Sequence, residues 1–176
     1  MPKPRKMLGA ADSPYIVSLM ALLDTQSKVT IANWCMDYCE AHILPIYERR
    51  CPGDARPRLA IEAARDLVEG RKKLAEVRQT ILRECNDIAR ELDGDPAAQA
   101  AARACGQASA CFHTPTHSLG LAFYGAAAIA YDRVGTGEKP EVYDQIAAEE
   151  CAKMEAALQA VAVPGEPNPA KLKWNC

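Results

Sequence analysis

Apolar positions recur every three or four residues along most of this chain, and nowhere do they alternate over a useful length. The helical period dominates, so the pattern predicts an all-α fold. The clearest stripe is Leu74, Val77, Ile81, Cys85, Ile88 and Leu92, which predicts one long amphipathic helix from Arg71 to Leu92. Leu59, Ala63 and Leu67 mark the inner face of a helix from Arg56 to Glu69, with Arg58, Glu62, Arg65 and Asp66 outside.

Capping residues and breakers place the ends. Ser13-Pro14 and Thr114-Pro115 each join a hydroxyl cap to Pro at the first helical position, predicting helices from Tyr15 to about Thr25 and from Pro115 to Tyr131. Ser27 caps a second helix that runs to about Glu48, with Pro45 kinking or ending it near Leu44. Cys51-Pro52-Gly53-Asp54 reads as a turn whose Asp54 caps the next helix. Asp95 and Pro96 open the Ala-rich segment Ala97–Cys111, and Pro140 opens a last helix to about Val161. Residues 1–12 read as a loose leader, 13–163 as a single helical bundle of about six to seven helices, and 164–176 as an irregular tail. Trp174 gives that tail an apolar anchor, which favours docking.

Ala100, Ala104 and Ala108 recur every four residues, as do Ala122, Ala126 and Ala130. Such faces let helix axes approach to the short end of the usual range of roughly 8–10 Å, so the core should be tight. Composition agrees: aromatics are only 6% of 176 residues. A net charge of −2 argues against a nucleic-acid partner, and no run reaches the roughly 18 apolar residues of a membrane span. Six of the eight cysteines fall inside helical segments, where thiols serve as small core residues. That favours reduced cysteines and a cytoplasmic protein. The basic residues Lys3, Arg5 and Lys6 before the run Tyr15–Leu23 only loosely imitate a signal peptide, because Asp12 and Pro14 interrupt it.

Candidate chemistry is sparse. Cys35, Cys39 and His42 share a face at ideal helical spacing, but a fourth zinc ligand is not readable, so no metal is assigned. His113 and His117 are four apart with Cys111 upstream, yet Pro115 between them breaks the helix on which that spacing has meaning. The simpler reading has both histidines hydrogen-bonded at a helix junction. The alternative has His113, His117, Cys111 and Tyr124 serving a small-ligand or metal-binding protein, or an enzyme. Arg56-Pro57-Arg58 is the densest cationic cluster; it suits a carboxylate or phosphate, and equally a clamp on Asp54 or on the preceding helix. Arg58 with Glu62, and Glu62 with Arg65, are spaced for intrahelical pairs. No phosphate loop, nucleophile elbow or Ser/His/Asp arrangement is present, so no catalytic residue and no cofactor is assigned.

Several blocks together carry a family resemblance. They are Trp34, the run from Cys39 through Leu44-Pro45-Ile46-Tyr47-Glu48, Arg56-Pro57-Arg58, Ala60-Ile61-Glu62-Ala63-Ala64-Arg65, Ala101-Ala102-Arg103-Ala104, and His113 to Tyr124. In this order they resemble the bacterial immunity proteins of the Imm-5-like type, from toxin–immunity systems. Asp66-Leu67 and Cys85 depart from that pattern. The resemblance implies an all-helical cytosolic protein that neutralises a toxin by binding it, and it carries over no catalytic residue. A binding protein is the leading expectation, with Tyr47, Arg49, Arg50, Arg56 and Arg58 as the candidate partner-binding patch. A homodimer built on the Ala-rich faces is a third reading.

Overall fold

The first helix of the computed structural model, α1 (Pro14–Leu23), begins at Pro14, where the missing N–H costs nothing. Residues 4–81, 85–92 and 94–174 are described; Lys3, Asp93 and Cys176 lie outside them. The Ser13 hydroxyl does not cap α1 but accepts from the Ala10 N–H. Ser27 does cap α2 (Lys28–Tyr38), accepting from the Thr30 N–H.

The helix then passes through a single π-turn, Cys39–Ile43, into α3 (Leu44–Arg50). Pro45 lacks an N–H for an ordinary helical bond and its ring crowds the preceding turn, so the wider turn lets the chain continue without an α-type ladder there. The kink expected near Leu44 is this turn. Gly53, at φ +89°, closes the loop before α4 (Arg56–Val68). Asp54 accepts from the Arg56 N–H, one residue ahead of the helix cap.

The long helix expected from Arg71 to Leu92 appears as α5 (Leu74–Gln79) and α6 (Cys85–Glu91). Its middle lies outside the described residues. It begins at Leu74 because Arg71 and Lys72 turn back onto Asp66, by backbone and side chain alike. Asp95 caps α7 (Pro96–Ala110) through the Ala98 N–H. A 3₁₀ turn, Pro115–His117, leads into α8 (Ser118–Val134), so the Thr114-Pro115 signature opens a tight turn rather than the α-helix itself. The last helix is α9 (Pro140–Val161). The protein is all-α and forms one domain, with α7 at its centre against α8, α6, α4, α3 and α2.

Small side chains explain how one helix meets so many neighbours. Ala98, Ala100, Ala101, Ala102, Ala104 and Ala108 of α7 are buried, as are Ala122, Ala126 and Ala130 of α8. Gly120 sets the closest approach: a methyl there would collide with the Gln107 side chain, and one at Gly106 would sit 2.8 Å from the Cys85 Cβ. Larger residues fill the flanks, with Leu19, Ile31, Met36, Ile61, Ile88 and Leu121 fully buried. The Trp34 indole N–H donates to the Met154 carbonyl at 3.0 Å, tying α2 to α9.

The first and the last described segments both pack. The described part of the leader is not loose: Leu8 is buried and its N–H donates to the Phe123 carbonyl, while the Tyr131 hydroxyl donates to the Arg5 carbonyl. A single buried leucine with two backbone anchors suffices to hold so short a segment. The tail docks as well. Glu166 accepts from the Ser27 N–H and the Ser27 and Thr30 hydroxyls, at the N-terminus of α2 where a negative charge is favoured. The Ala170 N–H donates to the Gln26 carbonyl, and Trp174 donates to Asp24.

Candidate functional site

The end of α3 and the start of α4 bring the basic cluster to one side of the bundle, where every arginine meets a carboxylate. Arg58 forks onto Glu48 at 2.7 and 2.9 Å, so it clamps the preceding helix instead of pairing with Glu62. Arg65 likewise reaches Asp37 and Glu40 rather than Glu62. The inter-helix carboxylates win because α4 lies against the α2–α3 segment, within reach of a long side chain.

Arg56 bridges Asp54 at 2.8 Å and Glu91 of α6 at 2.7 Å. Arg50 spans Asp95 and Asp132, and Arg49 also reaches Asp132 at 2.8 Å. Asp95 therefore caps α7 and anchors Arg50 at once. Five elements are knitted by this ridge, which presents alternating charge to solvent. The Arg49 side chain is 60% exposed, and Leu59, one residue beyond Arg58, is 48% exposed.

Tyr47 needs a correction as a member of an exposed patch. It is 0% exposed, the largest fully buried side chain, and its hydroxyl donates to Asp54 at 2.7 Å. Tyr47 falls on the inner face of α3 because the π-turn resets which positions point inward. Its burial and the Asp54 carboxylate push the phenol well above its usual range. Tyr47 therefore supports the ridge from below.

The Arg56 guanidinium, aided by the Tyr47 hydroxyl, lowers Asp54 to about 2 against the opposing effect of burial. A depressed carboxylate stabilises the fold above its ordinary value of 3.8 and loses that contribution as pH falls through 2. Asp54→Asn should cost roughly 1–2 kcal/mol at pH 7, with the gap to wild type closing towards pH 2. Urea unfolding at both pH values measures this; a gap independent of pH would contradict it.

At the α7–α8 junction, His113 is exposed and its Nδ1 lies 3.1 Å from the Thr114 hydroxyl. His117 is half-buried, with Nδ1 buried and without a hydrogen-bond partner. Burial first, and then the neighbouring His113, hold its imidazole below the usual value. The expectation that both histidines satisfy the broken backbone is corrected: the Ser118 hydroxyl donates to the Pro115 carbonyl at 2.7 Å and does that work. Cys111 is buried, with its Sγ 3.0 Å from Cys35 Sγ, and donates to the Gln107 carbonyl. Tyr124 faces the Arg103 guanidinium, 5.9 Å from the ring centroid. Cys111 and Tyr124 thus have their partners elsewhere. Among the described residues, no three His, Cys, Asp or Glu side chains are grouped to hold a metal.

The π-turn also dissolves the shared face of Cys35, Cys39 and His42. A π-turn uses more residues than an α-turn, so positions that coincide on an ideal helix diverge across it. Cys39 turns inward to Cys105, with sulfurs 3.5 Å apart, while His42 is exposed and packs on Tyr38 at 4.5 Å. No disulfide joins the described cysteines, and all but Cys51 are buried.

One feature is not readable from spacing. Between the π-turn, α8 and α9 lies a groove of about 460 Å³ lined by Tyr38, His42, Arg133, Glu150 and Lys153. The Glu150 side chain is 5% exposed and accepts from Arg133 and Lys153, each at 2.7 Å. Its signal in the sequence is its place on the buried stripe Tyr143, Ile146, Glu150, Met154, Leu158. A carboxylate on an apolar stripe asks for a partner.

A family model described as "Imm-5 like putative immunity protein" matches residues 21–157 of the chain. No curated protein and no solved structure matches it.

Proposed function

The chain belongs to the Imm-5-like family of immunity proteins, and from that premise we propose that it binds a cognate toxin protein and blocks it through its surface. The observation that carries this reading is the family match, which runs from the last turn of α1 through α8 and into α9. The arginine ridge is the binding face we assign, centred on Leu59 and flanked by Arg58, Arg56, Arg49 and Arg50. Leu59 is a large exposed apolar side chain next in sequence to Arg58, which pairs with Glu48, and an apolar centre beside charged groups has the make-up of an interface core with a polar rim. Alternating charge on that rim favours selectivity between related toxins, because a mismatched partner brings like charges together.

The protein acts in the cytosol in this reading. Buried free thiols suit a reducing compartment, and no helix among the described residues is long and apolar enough to cross a membrane. Catalysis has no part in this role. Nothing in the geometry favours the small-ligand reading at His113 and His117.

Co-expression with a toxin-domain protein encoded next to this gene tests the proposal, and a locus that encodes none would count against it. Wild type should restore growth and co-elute with that toxin. The double variant R58E/L59D should weaken the complex by roughly a hundredfold and abolish rescue. Both positions are exposed, so its circular dichroism and melting should match wild type to within a few degrees. Toxicity that persists with wild type, or full rescue by the folded double variant, would overturn the reading.

A further inference from the structure

On another side of α7, the docked leader and the α6–α7 corner enclose a cavity of about 420 Å³. Four cationic residues line it: Arg5 and Lys6 from the leader, Arg90 from α6 and Arg103 from α7. No described residue on its wall carries a carboxylate. For a chain of net charge −2, that is a sharp local inversion.

The four cations differ in how they are satisfied. Arg5 and Arg90 pair with Asp144 and Asp87, and both pairs are solvent-exposed, hence weak and exchangeable. Arg103 is half-buried on α7, whose other long side chains, Gln99 and Gln107, are uncharged, and among the described residues no carboxylate reaches it. Its guanidinium lies 5.9 Å from the centroid of the Tyr124 ring. Burial pulls its guanidinium below its ordinary value, the sign of a cation that has lost water without gaining an anion. Elsewhere on this surface the arginines of the α3–α4 ridge find acids, so the bare Arg103 stands apart. Leu92, Pro96 and Tyr131 add apolar wall beside the charges.

We propose that this cavity binds a small phosphate monoester, with Arg103 and Lys6 holding the phosphate and the wall of Leu92, Pro96 and Tyr131 holding the organic body. A guanidinium fork matches phosphate oxygens, and two cations balance a dianion. The volume falls in the range of small-molecule sites, roughly 300–1,000 Å³. A carboxylate ligand would satisfy one cation and leave the other bare. The wall of this cavity includes none of Leu59, Arg49, Arg50, Arg56 and Arg58, and the proposal does not depend on the toxin-binding reading.

Calorimetric titration of the full chain with AMP, glucose 6-phosphate, inorganic phosphate and citrate at constant ionic strength tests it. AMP or glucose 6-phosphate should saturate one site and bind more tightly than inorganic phosphate, with citrate weakest. R103Q and K6Q should each weaken the monoester roughly tenfold or more, whereas R49Q should leave it unchanged. Unliganded R103Q should melt no lower than wild type, since it removes a desolvated charge, and it should still neutralise the toxin. Absence of saturable monoester binding, citrate binding as tightly, or unchanged binding by a folded R103Q would overturn the proposal. So would loss of toxin binding in R103Q without any monoester site, which would make the cavity part of the protein interface.

Discussion

Tyr47→Ala should destabilise the protein by about 3–5 kcal/mol, lowering its melting temperature by roughly 6–20 °C. Tyr47 has no exposed surface, so truncation leaves a ring-sized void at the base of the arginine ridge. It also removes the hydroxyl that donates to Asp54 at 2.7 Å. Tyr47→Phe separates the two contributions. It keeps the packing and leaves Asp54 held by Arg56, so it should cost only about 1 kcal/mol. Urea unfolding of the three proteins decides the matter. An alanine variant no worse than the phenylalanine variant would mean that the ring contributes nothing by packing, against its complete burial.

Ala104→Leu should cost about 1–3 kcal/mol or more, by the opposite mechanism. Ala104 sits fully buried on α7, which meets five other helices and has little slack on any side. Three extra carbons must push a neighbouring helix away or twist out of a favoured rotamer. Ala156→Leu on the exposed side of α9 is the control and should change stability by no more than about 0.5 kcal/mol. Thermal melting of both variants is enough. An Ala104→Leu variant as stable as the control would show that α7 has room around it, contrary to the approach set by Gly106 and Gly120.

The contrast between these variants shows where local pattern informs and where it does not. The Ala100, Ala104, Ala108 repeat announces close helix packing, and the structure buries all three residues. Asp95-Pro96 announces the start of α7, and the cap forms as the side-chain chemistry requires. Ser27 and Pro140 do the same for α2 and α9. Each of these depends on atoms within one or two turns of the residue, so the chain carries its own instructions.

Tyr47 shows the failure. Its aromatic ring beside two arginines reads as a surface patch, but the π-turn ahead of it changes the rotation of everything downstream. The same turn parts His42 from Cys35 and Cys39. A shift of one residue in helical phase turns the face by about 100°, enough to carry a flanking position into the interior, and the periodicity that predicts a helix assumes that phase is constant. Pro45 foretells the kink without stating how the chain will relieve it.

The arginine partners were legible only in part: a clamp on Asp54 or the preceding helix was one reading of Arg56 and Arg58, and both contacts form. Spacing offers Glu62 to both Arg58 and Arg65, whereas the folded chain gives them Glu48, Asp37 and Glu40. An intrahelical pair between exposed side chains contributes little. An acid brought close by a neighbouring helix can therefore displace it at small cost. Glu150 with Arg133 and Lys153, and Arg103, which no carboxylate among the described residues reaches, arise in the same way.

What this amino-acid sequence determined alone is its all-helical character, the caps at Ser27 and Asp95, the tightness of the interior, and the family its blocks resemble. Helix formation and capping are short-range, and a narrow side chain is narrow wherever it lands. Only the tertiary structure decided which charges meet, which aromatic ring is interior, and which cation is left without an acid. Those outcomes depend on how helices far apart in the chain are rotated and set against one another, and periodicity along one helix holds no information about its neighbour's position.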